Sequence, residues 1–118
     1  MEKVQLTLTY PDGSTEVLPG ALTTYAAEVL VGALHEDPSP PTPHETDSFE
    51  EQLDAIAQLS RLITHLEAAR EEGIAAADRT GGPHADRKAL GIAAAMPRSR
   101  LYRILERYGR PTNRRATS

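Results

Sequence analysis

Along residues 4–10, VQLTLTY, apolar and polar side chains alternate: Val4, Leu6, Leu8 and Tyr10 on one face, Gln5, Thr7 and Thr9 on the other. A period of two is that of a half-buried β-strand. PDGS follows, with Asp12-Gly13 able to take positive φ at low cost. TEVLPG then reads as a short return strand ended by Pro19-Gly20. From Thr24 the period changes: Tyr25, Val29, Leu30 and Leu34 recur at helical spacing, with Thr23 or Thr24 placed to cap. A two-stranded hairpin with one short helix is marginal in water, and its strand edges lie open. Residues 1–35 are therefore expected to form a ββα unit that oligomerises or packs on another part of the chain, a second copy being favoured.

Residues 36–47, EDPSPPTPHETD, hold four prolines and no other apolar side chain, the composition of an extended, semi-rigid linker. Ser48 and Glu51 then have capping-box spacing, opening a long helix over residues 48–79. Phe49, Ile56 and Ile63 fall seven apart, with Leu59 and Leu66 between them and Leu53 and Leu62 widening the stripe. Fewer than three full heptads fit packing on another helix or on the hairpin as well as a two-stranded seam. Gly73 is expected to bend or divide the helix. The candidates for dimerisation are Val4, Leu6, Leu8, Phe49, Ile56, Leu59 and Ile63.

TGGP, residues 80–83, breaks the helical pattern. A second helix opens at Pro83 or His84 and runs through ADRKALGIAAA. A third begins near Pro97 and ends at Gly109, with Pro111 two residues beyond. Residues 83–109 thus form two short helices, and residues 110–118 a basic tail expected to be disordered. The fold class is α+β, mostly α.

Charge divides the chain in two. The overall balance of −4 averages residues 1–82, with fifteen acidic side chains against Lys3, Arg61, Arg70 and Arg79, and residues 83–118, with nine basic against Asp86 and Glu106. The halves carry −11 and +7. Such polarity points to a nucleic-acid-facing end on a body with another task; mutual attraction of the two halves is the alternative. In the third helix, Ile104, Leu105 and Tyr108 fall within about 60° of Leu101. Ser99, Arg103, Glu106 and Arg110 lie opposite, and Arg98, Arg100, Tyr102 and Arg107 flank. An apolar stripe anchors the helix while guanidinium groups, which pair bidentately with phosphate or with guanine, dominate the outside.

LGIAAAMPRSRLYRIL, residues 90–105, resembles the helix-turn-helix of bacterial DNA-binding proteins, in the homeodomain-like form of resolvases and tetracycline-repressor-type regulators. Their second half commonly reads Ser-Arg-Ser-x-Leu-Tyr-Arg-x-Leu; here it is PRSRLYRIL. The resemblance covers residues 87–109. Its obligatory apolar positions match Leu90, Ala94, Met96, Leu101 and Ile104, and its small crossing position matches Gly91. Its DNA-touching positions map onto Pro97, Arg98, Ser99, Tyr102, Arg103 and Glu106. Three departures stand out: Ala95 replaces the turn glycine, Pro97 the capping Ser or Thr, and Ile92 a residue that is often polar. The resemblance further implies a first helix packed across the other two, for which Leu66–Arg79 is the candidate, and a dimer reading two half-sites.

Arg98, Ser99, Tyr102 and Arg103 are accordingly the candidates for base-edge contact. Arg87, Lys88, Arg100, Arg107 and Arg110 are the candidates for phosphate, with Arg114 and Arg115 reaching along the backbone or into a minor groove. The partner implied is double-stranded DNA, and the function a dimeric transcriptional regulator. An adaptor with an acidic partner-binding half is the competing expectation; plasmid or phage partition and antitoxin roles use the same module. Neither an enzyme nor a cofactor is expected. His35, His44, His65 and His84 are scattered without metal-ligand spacing, and no phosphate-binding loop or nucleophile elbow appears. The chain has no cysteine, no apolar run of bilayer length and no signal-peptide pattern at its start, so a cytoplasmic protein without a membrane role is the expectation.

Overall fold

Strands β1 (Val4–Thr9) and β2 (Thr15–Leu22) are followed by helices α1 (Thr24–Leu34), α2 (Phe49–Gly81), α3 (Arg87–Ala94) and α4 (Arg98–Arg107). This computed structural model describes residues 3–112, in an α+β, mostly helical fold. The chain divides into two compact units, residues 1–63 and the remainder from Thr64; α2 runs through both. Arg114 and Arg115 lie outside the described residues.

In the first unit β1 and β2 pair antiparallel, Leu6 opposite Leu18 and Leu8 opposite Glu16. The Tyr10–Gly13 turn closes with Gly13 N–H donating to Tyr10 O at 2.9 Å, and Gly13 alone takes positive φ, at 89°. Asp12 Oδ1 accepts from Ser14 N–H and Oγ–H, and these bonds hold its carboxyl below the ordinary carboxylate range. The return strand does not stop at Pro19-Gly20. The ladder carries an irregularity between Val4 and Leu6, Gly20 takes φ 61°, and pairing resumes with Val4 opposite Leu22. A bulge absorbs the residue that cannot donate to the ladder.

Thr23 is the cap of α1, its Oγ1 accepting from Ala26 N–H. Ala26 and Gly32 are buried, whereas Leu34, expected on the inner face, is 83% exposed. Residues 36–47 are no free spacer either. Tyr25 Oη–H donates to Pro41 O at 2.9 Å, His44 Nε2 lies 2.6 Å from Glu28 Oε1, and Gln52 Nε2 reaches His44 O and Asp47 O. The segment is pinned to α1 and to the start of α2.

Ser48 Oγ accepts from Glu51 N–H at 3.1 Å, as the capping spacing predicts. Helix α2 then continues unbroken past Gly73 to Gly81. In its first half Ala55 is buried, and Gln58 fastens it to the β2–α1 junction: Nε2 donates to Ala21 O and Oε1 accepts from Thr23 N–H, both at 2.7 Å.

In the second unit Ile74 of α2 joins Ala94, Met96, Leu101, Ile104 and Leu105 in one core, with Leu90, Tyr102 and Tyr108 packed around it. Leu101, Ile104 and Leu105 are at most 1% exposed, and each such burial stabilises by about 1.5–3 kcal/mol. A 3₁₀ turn, Gly82–His84, follows α2. Helix α3 starts later than Pro83 or His84, because Asp86 caps it: its Oδ1 accepts from Ala89 N–H at 3.0 Å.

Candidate nucleic-acid interface

Helices α3 and α4 are joined by Ala95, Met96 and Pro97. Ala95 takes the left-handed conformation, φ 54° and ψ 46°. Its N–H donates to Ile92 O and that of Met96 to Gly91 O, the paired bonds of a Schellman motif. The turn thus keeps the conformation a glycine would give, without a glycine. Gly91 lies at the crossing: a Cβ there would stand 3.5 Å from Met96 O and 3.8 Å from the Leu101 side chain, in contact already. Met96, buried in the core, anchors the turn. Pro97 precedes α4 without a side-chain cap; its O accepts from Arg100 N–H at 3.1 Å, which leaves the N–H groups ahead of Arg100 to solvent or to an anion.

The inner face of α4 is the one its sequence predicts, with Leu101, Ile104 and Leu105 buried and Tyr108 half-buried. Outside, Arg98, Ser99, Arg100, Arg103 and Glu106 are exposed, as is Lys88 on α3. Among the described residues no carboxylate forms an ion pair with Lys88, Arg98, Arg100 or Arg103. Tyr102 is half-buried between two guanidinium groups, Arg98 at 4.9 Å and Arg87 at 5.3 Å from its ring centre. The Arg98 head is therefore held at the start of α4 by a cation–π contact. Lys88, Arg98, Ile92 and Tyr102 line an open groove of about 590 Å³ between α3 and α4, where cationic and apolar groups meet.

The remaining expected phosphate contacts are placed otherwise. Arg87 is not on the surface. Its side chain is 7% exposed, and its Nε and Nη2 donate to the two carboxylate oxygens of Asp78 at 3.0 and 3.1 Å. Nη2 also donates to Pro111 O. These bonds to Asp78 push the guanidinium above its ordinary value, against the effect of burial. Arg110 Nε donates to the same carboxylate, Oδ2, at 2.8 Å. Arg107 pairs with Glu71 at 2.8 Å but keeps 63% of its side-chain surface. Burial and neighbouring Glu72 and Glu71 raise the Tyr108 phenol above its ordinary value.

Two residues of this unit carry no mark as site residues in the sequence. Asp78 is wholly buried and joins α2 to the start of α3 and to the segment after α4. Its signal is placement, since it follows Ile74 and Ala75 on one helix face. Arg70 sends Nη1 to Ala94 O, the end of α3, at 3.3 Å.

Of the dimerisation candidates, Val4, Leu6 and Leu59 are half-buried within the first unit, while Leu8, Phe49, Ile56 and Ile63 are exposed. Among the described residues no group of three or more His, Cys, Asp or Glu is placed to hold a metal ion. No helix there is long and apolar enough to cross a membrane. Comparison with known family models, curated proteins and solved structures gave no match to this chain.

Proposed function

We propose that this protein binds double-stranded DNA sequence-specifically, through the second half of α2 with α3 and α4, and acts in the cytoplasm as a dimeric transcriptional regulator. The observation that carries the reading is the partition of basic groups in the second unit. Arg87 and Arg110 are consumed by Asp78, whereas Arg98, Arg100 and Arg103 stand outward on α4 with Lys88 nearby on α3. Self-neutralisation thus accounts for part of the basic excess and leaves a cationic outer face on a helix that fits the major groove. Arg98, Ser99, Tyr102 and Arg103 are assigned to base edges; Lys88, Arg100 and the exposed Arg107 to phosphate.

Selection from random-sequence duplexes tests the proposal. It predicts enrichment of an inverted repeat whose half-sites lie one duplex turn, or a whole number of turns, apart. Salt-sensitive binding without enrichment would leave only electrostatic attraction. The adaptor reading is favoured by a different observation, the acidic first unit with apolar side chains such as Phe49 exposed. It predicts capture of a protein partner and no sequence preference on DNA.

A further inference from the structure

The first half of α2 has a second apolar side. Away from it, Ala55, Gln58, Leu59 and Leu62 are buried or half-buried, and Gln58 bonds to the β2–α1 junction. Phe49, Leu53, Ile56 and Ile63 are 73%, 47%, 59% and 55% exposed. At 100° per residue these four lie within about 80° of one another, and at 1.5 Å per residue they extend about 21 Å along the helix. Ser60, the one polar residue in the stripe, is small. Exposed apolar stripes of this kind mark a surface that is covered in use.

The flanking charges select what covers it. Glu50, Asp54 and Arg61 share one flank of the stripe, the two acids towards the N-terminal end and the base towards the other. Helices that lie on membranes carry Lys and Arg beside their apolar face, and an acid-led flank is repelled by anionic lipid. A parallel copy would put the two charged flanks on opposite sides of the seam, where Arg61 meets no acid of its partner. An antiparallel copy turned about Ile56 sets Phe49 against Ile63, Ile56 against itself, and Arg61 beside Glu50 and Asp54 of its partner. Every such contact off the axis occurs twice, as an isologous interface requires.

We propose that the stripe Phe49–Leu53–Ile56–Ile63 pairs antiparallel with the same stripe of a second copy, about an axis near Ile56. The pairing rests on the dimeric part of the proposed function and not on DNA recognition. It gives the exposed side chains a dry partner and the flanking charges complementary neighbours.

The chain has no cysteine, so a single introduced thiol reports one contact. In the full-length protein, Ile56→Cys treated with a short bis-maleimide should cross-link to itself. Phe49→Cys alone and Ile63→Cys alone should not, since their copies lie about 21 Å apart along the seam. A mixture of the two should cross-link as the heterodimer. Self-linked Phe49→Cys and Ile63→Cys would establish a parallel seam and overturn the proposal. So would a monomer by sedimentation at tens of micromolar. Arg61→Glu should weaken the dimer at least tenfold, with Glu50→Arg in the same chain restoring it; unchanged dimerisation in Arg61→Glu overturns the antiparallel register. None of these readouts involves DNA, so their failure and a failure to bind DNA are separate results.

Discussion

Ala95 shows how one residue sets the geometry of the interface. A left-handed Ala costs about 1–2 kcal/mol relative to a relaxed backbone, and Ala95 is exposed, so its methyl fills nothing. Ala95→Gly should therefore raise stability by about 1 kcal/mol, read as a higher urea midpoint at unchanged slope. DNA affinity should stay at the wild-type value, because the turn already has the glycine conformation. A lower midpoint would contradict this account of the turn. Tyr108 gives a second residue-scale prediction. Its raised phenol means that the folded state holds this proton longer than the unfolded one. Its contribution to stability is thus complete below about pH 10 and is lost as pH rises through the folded value. Phenolate absorbance of Tyr108→Phe should lack a component that titrates above the ordinary tyrosine range; loss of an ordinary component instead would contradict the assignment.

Between elements, the joint at Asp78 governs the second unit. One buried carboxylate serves the first residue of α3 and the segment after α4, so three parts of the chain share one charge. Removing one partner of a buried pair costs about 3–5 kcal/mol. Asp78→Asn should destabilise by that order in thermal or urea unfolding, while Asp86→Ala, the loss of an exposed cap, should cost only about 1 kcal/mol. Equal small losses would show that the buried pair contributes little. The same joint explains what the sequence made legible. The period-two run 4–10, the Ser48 cap and the Leu101–Ile104–Leu105 stripe could all be read, because local periodicity and capping decide them. Arg87 could not be separated from Arg98, because both sit near helix starts in the basic half. What parts them is an acid nine residues upstream, brought near only by the fold. The bulge at Pro19-Gly20 and the pinned segment 36–47 escaped for a similar reason. Each looks like a break in the chain and is held by residues distant in sequence, Val4 with Leu22 and Tyr25 with Pro41.

For the whole molecule, the apparent opposition of an acidic and a basic half resolves into two kinds of cation. Arg87 and Arg110 are structural, answered by Asp78. Lys88, Arg98, Arg100 and Arg103 have no carboxylate partner among the described residues and are the groups available to a polyanion. The acidic first unit carries the apolar stripe, where a second copy rather than a nucleic acid fits. The central claim is that α4 meets DNA through those outward cations. Its most direct test is the salt dependence of duplex binding by wild type, Lys88→Ala and Arg100→Ala, with Arg103→Ala as the base-edge variant. Lys88→Ala and Arg100→Ala should each lower the slope of log affinity against log salt by about 0.9, one phosphate contact apiece. Arg103→Ala should instead flatten the preference between selected and random sequences. Wild-type binding with both slopes unchanged, or no binding near physiological salt, would contradict it.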